Sequence, residues 1–142
     1  VVTLRRLAWV GGLALLAACS DTSGLGQNDV TFNVSEGTAG AGYAPAASAK
    51  AGSGKIDLTG TLPGTLCNFR PAPEARFSAA AIITFIVSMQ PTGNQCPAAP
   101  DGILNYTATV PDIEAGQYEL VVEYIYPNAQ PLTVLDTQVT IR

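Results

Sequence analysis

The chain has 142 residues, with seven basic and eleven acidic side chains and no histidine, for a formal net charge of −4. That length accommodates one domain plus a targeting segment. The acidic balance offers no basic stripe for a phosphate backbone, which argues against nucleic-acid binding. The lack of imidazole removes Ser-His and Cys-His nucleophile systems and zinc sites of the usual His/Cys kind.

At the N-terminus Arg5 and Arg6 precede twelve uncharged, mostly apolar residues, 7–18, "LAWVGGLALLAA". A helix needs roughly 20 apolar residues to cross a bilayer core, so this segment is too short for a permanent span. A basic start, a short apolar core and small residues at its end predict a secretory signal peptide over 1–18, to be set aside in reasoning about the fold. Cys19 follows directly, and the chain then turns small and polar, "SDTSG".

The junction Leu16-Ala17-Ala18-Cys19 resembles the lipobox of bacterial lipoproteins. The resemblance implies that the Cys19 thiol is alkylated by a diacylglyceryl group and that Cys19 becomes the first residue after cleavage. Each buried methylene contributes about 0.8 kcal/mol, and two acyl chains hold a protein stably where one does not. In the enteric sorting pattern an aspartate immediately after the lipidated cysteine retains the protein at the inner membrane. Here Ser20 follows and Asp21 comes one residue later, which favours the outer membrane. The expected address is therefore an exported protein whose membrane partner is reached through its N-terminal lipid. Loss of Arg5 and Arg6 leaves five basic residues against eleven acidic ones. Asn33-Val34-Ser35 and Asn105-Tyr106-Thr107 match a glycosylation triplet, which the bacterial reading leaves as coincidence.

Residues 19–53 read as a lipidated tether, with a possible short strand at 30–34 that puts Val30, Phe32 and Val34 on one face. Residues 35–54 are rich in Gly, Ala and Ser, a composition expected either as a flexible spacer or as a long loop. From residue 54 to 142 the pattern is strand-like. "KIDLTGTL" alternates with period two, and Pro63-Gly64 marks a turn. The prolines of "CNFRPAPE", 67–74, reject both a helix and a central strand. Residues 74–90 are Ala-rich, yet Ile82, Ile83, Ile86 and Val87 form a β-branched cluster that favours a pleated surface. The expectation is a short strand at 75–78 and a longer one at 81–89, with Ile83, Phe85, Val87 and Met89 inward. A loop carrying Cys96 follows. Three further runs then alternate: Leu104, Tyr106, Ala108 and Val110; Tyr118, Leu120, Val122 and Tyr124; Leu135, Val139 and Ile141. Short alternating strands between turn signals predict an antiparallel sandwich or barrel.

In an exported chain Cys67 and Cys96 read as a disulfide. It closes a loop of about 30 residues, which the chain-entropy account credits with roughly 3–4 kcal/mol. The stretch Glu114-Ala115-Gly116-Gln117-Tyr118-Glu119-Leu120 resembles the tyrosine corner of immunoglobulin-like domains, in which a Tyr hydroxyl returns to the backbone of the preceding turn. Leu120 stands where those domains carry their second core cysteine. The run 54–142 looks like the small immunoglobulin-like modules of bacterial surface proteins and lipoproteins. The resemblance implies an all-β, immunoglobulin-like antiparallel β-sandwich with Tyr118 as its structural corner.

With Cys19 acylated and the other two cysteines paired, no thiolate is left to act. Asp112 with Glu114 and Glu119 with Glu123 read as solvated carboxylates, since nothing in the pattern desolvates them. Asp101, Asp112 and Glu114 could gather at one end around calcium, but without the spacing of a dedicated calcium loop. The expectation is a non-enzymatic protein with no catalytic residue, metal or cofactor. Val121, Ile125, Ile82 and Ile86 fall on an outward face, either as a partner patch, as a surface covered by residues 20–53, or as the middle of a sheet. The expected role is a membrane-anchored module for binding or structural support, with a protein or polysaccharide partner in the cell envelope. The loops at 67–74, 91–101 and 126–131 are its contact candidates. The alternative is an inhibitor of an exported protease, acting through a loop that the disulfide holds ready.

Overall fold

Period-two alternation becomes, in three dimensions, a set of strands that each bury one face. The computed structural model describes residues 29–142, in which eight strands follow in order: β1 (Thr31–Thr38), β2 (Ala46–Ala51), β3 (Ile56–Pro63), β4 (Phe69–Phe77), β5 (Ile82–Pro91), β6 (Gly102–Val110), β7 (Gly116–Ile125) and β8 (Leu132–Ile141). They form two four-stranded sheets, ordered β1-β6-β3-β2 and β4-β5-β7-β8, in an all-β, sandwich-like fold. The expected signal peptide over 1–18 and Cys19 lie outside the described residues.

The inner faces are those the alternation predicts. Ile56, Leu58 and Leu62 of β3 and Leu104, Tyr106 and Val110 of β6 meet Ile83, Phe85, Val87 and Met89 of β5 and Leu120, Val122 and Tyr124 of β7 in one apolar cluster. Each aliphatic or aromatic side chain taken fully out of water contributes about 1.5–3 kcal/mol. No charged or polar residue is fully buried among the described residues. The large Tyr106 ring finds its room opposite Gly60, its cross-strand partner, where any Cβ would overlap the ring. At the β7–β8 pair the register slips after Val122, and Val134 and Leu135 both pack against the core. An extra residue in one strand of a pair does this by bending the strand.

Three expectations are corrected. Residues 35–54 are not one spacer or one loop. β1 pairs along its whole length with β6, and β2 with β3, so half of the Gly/Ala/Ser-rich stretch, 35–38 and 46–51, belongs to a sheet, and 39–45 and 52–54 connect the strands. Its small side chains suit the thin margin of the sandwich, where Ala47, Ala49 and Ala51 lean on the core. Second, β4 starts at Phe69 and runs through both prolines, so 69–74 is strand. The Thr92 N–H donates to the Asn68 carbonyl at 3.0 Å, which fixes the register so that even-numbered residues of β4 bond to β5. Pro71 and Pro73 therefore turn their missing N–H groups to the free side of an edge strand, where no ladder bond is lost. Third, the sandwich is not wholly antiparallel. β5 and β7 are neighbours and run parallel, because the chain leaves β5, crosses to the other sheet as β6, and returns in the same direction. Of the readings open for the outward face, the structure gives the middle of a sheet: Ile86 points outward yet is 3% exposed. It sits mid-sheet between Glu74 of β4 and Glu123 of β7, with Arg76 paired to Glu74 at 2.7 Å. Ile82, Val121 and Ile125 around it are half-buried.

Candidate functional site

The loops singled out in the sequence converge on one end of the sandwich. The β3–β4, β5–β6 and β7–β8 connections all lie there, joined by the β1–β2 connection at 39–45. The other end carries the start of β1, the turn at 52–55, the β6–β7 corner and Arg142. It is closed by bonds such as Gly54 N–H to the Arg142 carbonyl and Ile113 N–H to the Gly54 carbonyl.

The Cys67–Cys96 disulfide is formed, with the two Cα atoms 5.9 Å apart. It ties the β3–β4 turn to the long β5–β6 loop, and polar bonds repeat the tie. The Thr92 hydroxyl donates to the Cys67 carbonyl, and the Asn94 side-chain amide reaches the same oxygen at 3.4 Å. Across the two sheets, the Leu66 N–H donates to the Glu36 carboxylate at 2.6 Å, and the Tyr126 hydroxyl to the Pro63 carbonyl at 2.6 Å. Tyr126 also meets Phe69 edge-on, with ring centroids 5.9 Å apart. Gly64 takes a φ of 140°, a conformation other residues avoid, and Phe69 and Met89 lie against it.

Below this rim three tyrosines link the sheets. The fully buried Tyr124 hydroxyl donates to the Ala46 carbonyl at 2.9 Å and lies 3.1 Å from the Tyr106 hydroxyl. Burial, with the Tyr106 hydroxyl beside it, pushes the Tyr124 phenol well above its ordinary pKa, and burial raises Tyr106 likewise. Tyr126 is raised by burial and by neighbouring Tyr43. Sequence reading passed over Tyr43 because it sits in the stretch taken for a tether. Its one signal was an aromatic residue amid Gly and Ala.

The four connections at this end carry a single charged residue, Asp101, and the two exposed large apolar side chains among the described residues, Leu66 and Leu132, border it. This end is charge-poor, rich in Ala, Gly and Pro, and backed by the Phe69–Tyr126 ring contact. The three acids considered for calcium are not brought together. Asp101 precedes β6 and Asp112 and Glu114 follow it, roughly 30 Å apart along a nine-residue strand. No cluster of metal-ligating side chains occurs among the described residues. At the opposite end the Tyr118 hydroxyl donates to the Glu114 carbonyl at 3.0 Å, across the turn where the chain passes from one sheet to the other. Comparison with protein-family models, curated proteins and solved structures finds no match.

Proposed function

We propose that the protein is an exported lipoprotein, fixed to a bacterial membrane through acylated Cys19, that presents one immunoglobulin-like module for binding or structural support without catalysing a reaction. The observation that carries the reading is the lipobox Leu16-Ala17-Ala18-Cys19, set after a basic, apolar segment of signal-peptide length. Ser20 after the cysteine favours the outer membrane over the inner. The immunoglobulin likeness draws support from the Tyr118 corner and from strand neighbours. β2, β3 and β6 adjoin as the A, B and E strands of such domains do, and β7 and β8 adjoin as F and G. The parallel β5 beside β7 departs from that plan. The braced loop end is the contact surface of this reading, for a protein or polysaccharide of the envelope. The same bracing favours a second reading, an inhibitory loop for an exported protease, since a loop held in shape costs less to bind.

Because β1 begins at Thr31, only twelve residue steps separate it from Cys19, at most about 40 Å of chain. The module is thus held close to its anchor. Mass spectrometry of native protein is expected to find an N-terminal acylated peptide beginning CSDTSG, and Cys19→Ser to release the chain from the membrane fraction. A mature N-terminus elsewhere, or a free thiol at Cys19, overturns the assignment.

A further inference from the structure

The sandwich has two flanks, and they are treated differently. On one, β2 and β8 lie edge to edge, joined at the end by the Arg142 N–H to the Gly52 carbonyl. The other flank stays open between β1 and β4, with a cleft of about 410 Å³ at Val30, Ala72 and Pro73. The β4 edge is capped against further pairing by Pro71 and Pro73, whose missing donors face outward. The β1 edge has no such guard.

The register defines what that edge offers. The Ala39 N–H donates to the Asp101 carbonyl at 2.7 Å, in line with the Thr38 to Gly102 and Thr31 to Thr109 pairs. Odd-numbered residues of β1 therefore bond to β6. The N–H and C=O groups of Phe32, Val34, Glu36 and Thr38 point away from the sheet, and no bond to them occurs among the described residues. An edge of unpaired amides is a template for another strand, and proteins usually block it with proline, charged side chains, a bulge or a covering segment. β1 has no proline, lysine or bulge, and the carboxylate of its one charged residue, Glu36, is engaged by the Leu66 N–H. The apolar side chains along it, Val30, Phe32 and Val34, pack on the core yet stay only half-buried.

We propose that β1 is the dimer interface, pairing antiparallel with β1 of a second copy about a two-fold axis at Val34. This register sets Val34 opposite its own copy, Phe32 opposite Glu36 and Asn33 opposite Ser35, so no like charges meet. The one charged residue of the strand, Glu36, has its carboxylate turned to the Leu66 N–H. That self-complementarity is what an isologous interface requires. The two β1 strands join two four-stranded sheets into one of eight, and each copy covers the half-exposed Phe32 and Val34 of the other. The contact is made by main-chain hydrogen bonds and apolar cover, so added salt leaves it intact. It does not depend on the lipid.

Sedimentation equilibrium of the full chain in density-matched detergent, with hydrogen exchange read amide by amide, tests this. The expected particle holds two protein copies at low and high salt. Exchange is slow at Phe32, Val34 and Glu36 as well as at Asn33 and Ser35. Val34→Pro removes an outward N–H that β6 does not use. It is expected to give one copy per particle, with Asn33 and Ser35 still protected by β6. Asn33→Lys combined with Ser35→Lys, on the exposed face, sets like charges directly opposite each other across the pair and gives the same loss of the dimer without touching the backbone. A single copy in the wild type overturns the proposal, including a monomer with slow even-numbered amides, which puts residues 20–28 on the edge instead. A dimer that survives in both variants overturns it too, because the interface then lies elsewhere.

Discussion

Tyr124 carries a phenol at the centre of the sandwich, with its hydroxyl donating to the Ala46 carbonyl of β2. Because burial and the Tyr106 hydroxyl raise its pKa, the folded state keeps a proton that the unfolded chain gives up near the ordinary value of 10.0. The stabilisation is fully present below that value and is lost as pH rises past it. Urea midpoints are therefore expected to stay level through neutral pH and to fall above about pH 10. In Tyr124→Phe the fall is shallower, with Tyr106 and Tyr126 supplying the remainder. The substitution itself costs on the order of 1 kcal/mol at neutral pH through the lost hydrogen bond. An alkaline slope unchanged by the substitution would show that this phenol does not carry the effect. The alternation around Tyr124 marks it as inward, but its partner lies 78 positions away in sequence, so no local pattern names Ala46.

Single elements show the same division. β3, β5, β6 and β7 have apolar residues at alternate positions, broken only by Gly60 in β3, and their inward faces are legible. β4 is not, because its prolines describe a loop unless it is known that the strand lies at an edge. The β5–β6 loop is legible as a braced element, since the expectation of export pairs Cys67 with Cys96 and that bond is formed. Replacing both, Cys67→Ser with Cys96→Ser, is expected to lower stability by roughly 3–4 kcal/mol in urea denaturation. Hydrogen exchange should then quicken first at 92–101 and leave β6 and β7 protected. A global collapse of protection on reduction would instead make the bridge a condition of folding, as in small secreted domains.

For the molecule as a whole, the two strands drawn from the apparent tether matter most. Phe32 stacks on Tyr106 with ring centroids 5.4 Å apart, and Ala49 pairs with Leu58. Removing residues 20–53 is expected to leave β6 and β3 as edges, expose Tyr106 and Leu58, and abolish cooperative melting and near-ultraviolet dichroism. A truncated chain that still melts sharply would show that β1 and β2 only decorate a self-sufficient core.

The chain's alternation determined the all-β class and the inward residues of the central strands, and its cysteines marked the bonded pair. These are local records of which side of each strand avoids water and of which side chains exist at all. Strand neighbours were decided only by the tertiary structure: the parallel β5–β7 pair, the place of β1 and β2 in the first sheet, and the meeting of four connections at one end. Period two says which face is buried and nothing of which strand lies alongside. Edge strands of small residues bury little, so their sequence carries little of the signal.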